Sequence, residues 1–358
     1  MKILLTGGLG FIGSSVVRRI INSTDHEVLN VDSEGYAATH GSVAEIVSDE
    51  RYDFQRVDIR DEAAVREAFA SYKPEVVIHL AAESHVDRSI DGPRDFIETN
   101  IVGTFNLLQA AREAGVERFH HVSTDEVFGE LELDDPAFSE TTPYDPRSPY
   151  SASKAASDHL VRAWGETFDL PILITNCSNN YGPFQFPEKL IPLIAIKAMR
   201  REALPVYGSG MNVRDWLFVD DHARAILDVV ERGRIGETYN VGGDAERTNL
   251  DVVHGICAAV DDRLGTADTA DLIEYVTDRP GHDLRYAIDF SKIENDLGWR
   301  PSVTFEQGLE QTVAWYADND AWWNALVEQQ ASVRRGTCLL YTSPSPRDAT
   351  LSRMPSSA

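Results

Sequence analysis

The chain has 358 residues, 42% of them hydrophobic, enough to fill a substantial core in one large domain or two modest ones. A formal net charge of −25 argues against nucleic acid, whose phosphates demand basic surface, and against anionic membranes. It leaves room for an anionic small molecule, because exposed charges beyond a Debye length of about 8 Å are largely screened and a few local arginines decide binding. Lys2 alone precedes an apolar run that leads straight into glycines, which reads as a first strand rather than a secretory signal, and no apolar run has membrane-spanning length. A cytoplasmic location is expected. Cys177, Cys257 and Cys338 have no metal or redox spacing and read as reduced thiols.

In chain order, KILLT reads as a buried strand, FIGSSVVRRIIN as a helix with apolar residues at helical spacing, and EVLNVD as a second strand. FQRVD, a helix DEAAVREAFASY and a strand EVVIHLAA follow, then a helix through Ile97, Ile101, Phe105 and Leu108 and a strand RFHHVS. A helix from about Tyr150 to Phe168 and a strand PILITN complete the run. Short apolar strands between helices predict an α/β fold, a Rossmann-type doubly wound parallel sheet covered on both faces.

After Asn180 the pattern turns to loops such as NNYGPFQFPEKLIP and YGSGMNVRDW, interleaved with helices DHARAILDVVERG and LDVVHGICAAVDDRL, which predicts a smaller C-terminal α/β substrate lobe. The expected division is a dinucleotide-binding domain over 1–178, to which later segments return, and a substrate-binding lobe over 179–330. From about Gly336 to Ala358 the chain is rich in Ser and Pro without any period. That stretch resembles a translated adapter more than a folded segment, and is expected to be disordered and non-native.

TGGLGFIG places Gly7, Gly10 and Gly13 immediately after the first strand and opens a helix with Phe11 and Ile12. Glycines permit a tight turn and let backbone amides approach a pyrophosphate, whose charge is favoured at a helix N-terminus. Asp32 closes the second strand nineteen residues after Gly13, where an acid accepts hydrogen bonds from the adenosine ribose. An acid there favours NAD over NADP, whose extra phosphate it would repel. Downstream, YSASK puts Tyr150 and Lys154 four residues apart, on one face of a helix. A neighbouring ammonium and a positive cofactor ring would make the Tyr150 phenol a usable base.

The glycine turn, Asp32, Asp58, HLAAESHVDRS, TNIVGT and YSASK together resemble the extended short-chain dehydrogenase/reductase family, over roughly Met1 to Asn319. The resemblance implies bound NAD held by Gly7, Gly10, Phe11, Ile12, Gly13, Asp32, Asp58 and Ile59, with Leu80, Ala81, Ala82, Ser84, Thr99, Tyr150, Lys154 and Asn180 completing the site. It also implies a nucleotide-sugar substrate and a homodimer, with Thr124 near the reacting hydroxyl.

TDEVFGE, where RFHHVS ends, puts Asp125 and Glu126 side by side. Epimerases of the family, which only oxidise and re-reduce C4, usually carry small residues there. Removing water across C5 and C6 of a hexose needs a base for the C5 proton and an acid for the departing oxygen. TDEVFG is similar to the segment of the family's nucleotide-sugar 4,6-dehydratases. The resemblance implies that Tyr150 takes the 4-OH proton, Glu126 the C5 proton, and Asp125 protonates the leaving oxygen. That role demands that Asp125 be protonated when needed, although a free aspartate titrates near ~3.9.

By the same resemblance the substrate is expected to meet Ser84, Thr124, Asn179, Glu188, Lys189, Pro205 and Tyr207. Arg214 would meet the diphosphate, and Asn249, Arg279 and His282 would add contacts. A dTDP-hexose is the expected substrate, though nothing as clear decides thymine over uracil. A C4 epimerase or a UDP- or CDP-sugar dehydratase is the same-class alternative, and a silent NAD-binding regulator the other. No metal is expected: His120 and His121 are neighbours in a strand and face opposite ways, and His282 has no ligand spacing.

Overall fold

The computed structural model describes residues 1–278 and 282–333. The predicted tail after Gly336 and the candidate Arg279 lie outside the described residues. Met1–Asp318 form one compact unit; a second, beginning at Asn319, carries the helix Asp320–Val333.

The first half alternates as the apolar pattern requires. Strand β1 (Lys2–Thr6) leads into α1 (Phe11–Ser23), β2 (Glu27–Asp32), β3 (Tyr52–Arg56), α2 (Glu62–Tyr72) and β4 (Val76–His79). The short helices α3 (Val86–Asp91) and α4 (Pro93–Phe96) then precede α5 (Thr104–Ala114), β5 (Arg118–Thr124), α6 (Pro149–Phe168) and β6 (Ile172–Cys177). Helix α6 starts where Ser148 and Ser151 cap one another reciprocally with Pro149 at its first position, which places Tyr150 in the first turn.

Beyond β6 come β7 (Asn179–Tyr181), α7 (Leu190–Met199), β8 (Leu204–Tyr207), β9 (Val213–Phe218) and α8 (Val219–Arg232). The chain continues through β10 (Thr238–Val241), β11 (Glu246–Thr248), α9 (Asn249–Leu264), β12 (Ile273–Val276), α10 (Ser291–Leu297) and α11 (Phe305–Asp318). Seven strands form one parallel sheet in the order β10-β6-β5-β4-β1-β2-β3. The strand order reverses between β1 and β4, and there the carboxyl ends of the strands open a crevice. Strand β10, from far along the chain, extends the sheet beyond β6.

One face of the sheet is covered by α2, α5 and α6, whose Val65, Leu107, Leu108 and Val161 join the strand residues Leu4, Val77 and Phe119 in one core. The other face is covered by α1 and α8. Along α8, Ala223, Ile226, Leu227 and Val230 recur at helical spacing and pack on Val16, Val17 and Ile20 of α1, each apolar side chain contributing about 1.5–3 kcal/mol by leaving water. A separate core holds α7, α9 and α11 together through Ile194, Ile256 and Leu309. Small sheets β11-β9-β7 and β12-β8 complete that lobe.

The helix expected through Ile97 to Leu108 differs from the 3.6-residue reading. Residues Ile97–Gly103 form a wider π-helical turn before α5 begins, and Ile97 and Phe105 are exposed rather than buried. The extra residue per turn brings Asn100 inward. Its side chain accepts from Glu83 N (2.9 Å) and donates to Glu83 O (3.0 Å) and Ser153 Oγ (2.8 Å), tying the loop after β4 to α6.

Candidate active site

A single groove runs along the carboxyl edge of the parallel sheet, and its two ends are made of different materials. At the first end the backbone does the work. Gly7 has φ +78°, and a Cβ there would lie 2.7 Å from Ala81 N; a Cβ on Gly13 would collide with the Gly7 carbonyl. The cradle therefore exists only while both positions lack side chains, and α1 begins at Phe11 directly above it. Asp32 accepts from Leu9 N (3.0 Å) and Glu34 N (2.9 Å), which orients the carboxylate at the groove wall and leaves acceptor capacity on both oxygens. Asp58 is held by Arg60 in a two-pronged pair. Leu80 and Ala81 are positioned by their amides donating to Thr6 Oγ1 (3.2 and 3.1 Å).

Gly10, Phe11, Ile12, Ile59, Ala82, Ser84, Thr99 and Asn180 line the same groove, so every residue expected at a dinucleotide faces one cavity. A glycine cradle at a helix start with a carboxylate at the second strand's end fits the chemistry of NAD.

At the other end side chains dominate. Thr124 is the last residue of β5; its hydroxyl donates to Asp125 Oδ1 (3.2 Å) and accepts from Glu126 N (3.3 Å), starting the short 3₁₀ turn Asp125–Phe128. Asp125 is 1% exposed, and its Oδ2 finds no hydrogen-bond partner among the described residues. Burial, followed by the charges of Glu126 and Asp215, raises its carboxyl well above the usual aspartate range. Both effects favour the protonated carboxyl over the carboxylate. Tyr150, also buried, is raised well above an ordinary phenol, first by burial and then by Glu126. The chain's own charges therefore oppose the phenolate that the YSASK spacing predicts. Lys154 donates to Val122 O (2.9 Å) and lies 3.4 Å from His121 Nε2; burial lowers it from the ordinary lysine range and Asp158 offsets that.

Scanned along its length, the sequence matches the profile described as GDP-mannose 4,6 dehydratase over residues 4–312. It is 55% identical to a dTDP-glucose 4,6-dehydratase of Escherichia coli, over 92% of this chain and 97% of that one. Against the dTDP-glucose 4,6-dehydratase of Neisseria meningitidis serogroup B it is also 55% identical, covering 93% of this chain and 98% of that protein. The chain belongs to the dTDP-glucose 4,6-dehydratase family. A crystal structure of a dTDP-glucose 4,6-dehydratase from Streptomyces venezuelae, solved with NAD bound, superposes with a TM-score of 0.85 at 45% identity, covering 91% of this chain and 100% of that one. The UDP-glucose 4-epimerase of Thermus thermophilus, in complex with NAD, superposes at 0.80 with 31% identity, over 89% and 100% of the two chains.

The residues expected at the substrate fall in two places. Ser84, Thr124, Asn179, Glu188 and Lys189 line the groove. Glu188 accepts a hydrogen bond from Tyr36 OH (2.8 Å) and lies 3.7 Å from His85 Nε2, while Lys189 donates to Ser84 O (3.2 Å). Pro205, Tyr207, Arg214, Asn249 and His282 do not line it. They gather around the β8–β9 turn: the Tyr207 ring meets His282 edge-on, Asn249 N donates to Asn212 O (2.9 Å), and Arg214 donates to Asp283 O (2.9 Å) while stacking 4.4 Å over Tyr286. Arg214 nevertheless joins the two places, since its charge acts on Asp125 in the direction opposite to burial.

Among the described residues no cluster of three metal-ligating side chains occurs, and no helix is long and apolar enough to cross a membrane. Tyr36 and Gln185 line the groove as well. Sequence reasoning missed both; each sits in an irregular loop with no motif to announce it.

Proposed function

We propose that the protein converts dTDP-glucose to dTDP-4-dehydro-6-deoxyglucose and water, a step toward deoxysugars such as rhamnose. NAD in the glycine-lined groove would supply a place for the hydride, taken from C4 and returned to C6. The residues of the chain divide the proton work. Tyr150 accepts the 4-OH proton; because burial and Glu126 hold its phenol high, the opposing charge would come from the positive nicotinamide ring and the Lys154 ammonium together. The C4 ketone acidifies C5, and Glu126, adjacent to the reacting position through Thr124, takes that proton. Asp125 then gives its proton to the departing C6 oxygen, and Glu126 would return its proton to C5 as the hydride is delivered to C6.

The observation that carries the reading is Asp125 buried beside Glu126 at the end of β5: one carboxyl raised by burial and then by its neighbour, suited to the acid role, with that neighbour left to serve as base. An epimerase needs neither group.

Support for the dimer comes from the exposed apolar side chains Ile97, Val102 and Phe105, near Phe168 through the edge-on ring contacts of Trp164. A second copy is the occupant we assign to that face, as two-helix faces of this kind are covered by like surfaces; light scattering measures it. A division at about residue 178 between cofactor and sugar-nucleotide lobes matches the separate apolar cores. Buried free thiols at Cys177 and Cys257 suit a reducing cytoplasm.

The test is to incubate the purified protein with dTDP-glucose and with UDP-glucose, without added NAD, and to measure the 4-keto-6-deoxy chromophore in alkali. Product from dTDP-glucose is expected. Product from neither sugar, even with NAD supplied, removes the proposal.

A further inference from the structure

Beneath the catalytic pair Tyr150 opens a buried polar cluster whose other members the proton steps above do not use. Tyr150, Lys154 and Asp158 recur every four residues along α6 and so share one helix face, which points into the sheet rather than to solvent. Asp158 is wholly buried. One carboxylate oxygen accepts from Ser123 Oγ (2.9 Å), Tyr144 OH (2.7 Å) and Asn176 Nδ2 (3.3 Å); the other lies 3.1 Å from His121 Nε2. The same imidazole nitrogen lies 3.4 Å from Lys154 Nζ. A single ring thus stands between a buried ammonium and a buried carboxylate.

We propose that Asp158 is a positioning residue for catalysis: across His121 it supplies the negative charge that keeps Lys154 an ammonium inside the core, and Lys154 in turn holds down the ionisation of Tyr150.

A carboxylate deprived of water survives only where donors and an opposite charge replace it. Three donors converge on Asp158, and it stays below the usual aspartate range in spite of burial, through His121, Lys154 and Tyr144. His121 is pushed down to about 4 by burial and then by Lys154, so the imidazole is neutral and carries no charge of its own between the two ions. The other groups facing the cluster are few. Arg162, on the same helix, donates to Tyr144 OH (2.9 Å) and lowers His121; His79 on β4 packs 5.1 Å from the His121 ring and is itself held neutral by burial; Cys177 on β6 acts on Lys154. Glu126 and Asp125, at the end of β5, act on Tyr150, whereas the carboxylate that acts on Lys154 is Asp158. Lys154, stripped of water at 4% exposure, depends on it.

The inference rests on Tyr150 as the base, and the experiment separates the two. In the holoenzyme, Asp158→Asn should move the alkaline limb of the pH–rate profile, set by loss of the Lys154 proton, down by about one pH unit or more, with no upward shift of the acid limb, where Lys154 is still an ammonium. The profile narrows from its alkaline side. Phenolate difference absorbance, read as Asp158→Asn minus Asp158→Asn/Tyr150→Phe, should show the part of the Tyr150 titration above the lowered Lys154 titration displaced to higher pH, without reference to turnover. An unchanged profile and phenolate titration, with only thermal stability reduced, would overturn the inference while leaving Tyr150 as base intact. If Tyr150→Phe retains full activity, the base assignment fails instead. Should Asp158→Asn not fold, the unaltered protein decides. In ¹⁵N-lysine-labelled enzyme, with Lys154→Arg used to assign the signal, Lys154 is expected as an ammonium at and above neutral pH. A neutral amine at neutral pH overturns the inference.

Discussion

The two ends of the groove solve different problems with different parts. The cofactor end is built from glycine backbone, amides and the carboxylate of Asp32, groups whose geometry comes from turns only a few residues long. The catalytic end is built from Asp125, Tyr150 and Lys154, each displaced from its ordinary ionisation first by burial and then by charged neighbours. Shape governs the first end and protonation the second. Alterations at one should therefore be seen in bound cofactor, and at the other in pH dependence and rate.

The largest effect is expected at the catalytic end. Tyr150→Phe or Glu126→Gln should lower kcat by about 10²–10⁴-fold while the purified protein retains its nicotinamide. Glu126→Gln should still show transient reduction of bound cofactor, read by its absorbance, without loss of water; a variant that never reduces the cofactor would mean Glu126 acts earlier than assigned.

Gly13→Ala tests the opposite end. The new methyl meets the Gly7 carbonyl, and the strain of about 1–3 kcal/mol should appear as cofactor lost on purification and activity partly restored by added NAD. If activity falls with cofactor fully retained, the division between the two ends is wrong.

Asp125→Asn separates stability from rate. A carboxyl whose folded pKa lies above its unfolded value contributes stability at low pH that is lost as pH climbs from the ordinary carboxylate range toward the folded value. The neutral asparagine escapes that loss. Its Tm should exceed that of the unaltered protein at neutral pH, by about 1 kcal/mol or more in stability, and the difference should vanish in acid, while dehydration slows. A lower Tm at neutral pH would mean that Asp125 is ionised.

The smallest effect belongs to Tyr36→Phe, which removes the hydroxyl donated to Glu188 and should weaken cofactor retention by about 1 kcal/mol with the pH profile unchanged.

Legibility followed the same line. The glycine cradle, Asp32 and the Tyr150–Lys154 face were readable because each depends on residues near one another in the chain, where turn chemistry and helical period act. The π-helical turn at Asn100 was not: its period came through as an ordinary helix, and only the partners Glu83 and Ser153 show why Asn100 turns inward. The second-lobe residues were readable as a group by resemblance alone, and the structure gathers Tyr207, Asn249 and His282 around one turn apart from the groove.

By itself the sequence determined the alternation of strands and helices, the place of the phosphate-sized turn, and the adjacency of two carboxyls after β5, since these are matters of spacing. Tertiary structure alone decided that the Asp125 carboxyl is buried and raised, that Lys154 faces Asp158 across His121, and that Glu188 reaches Tyr36. An ionisation state depends on water excluded and charges approached, and those come from segments that meet only when the chain has folded.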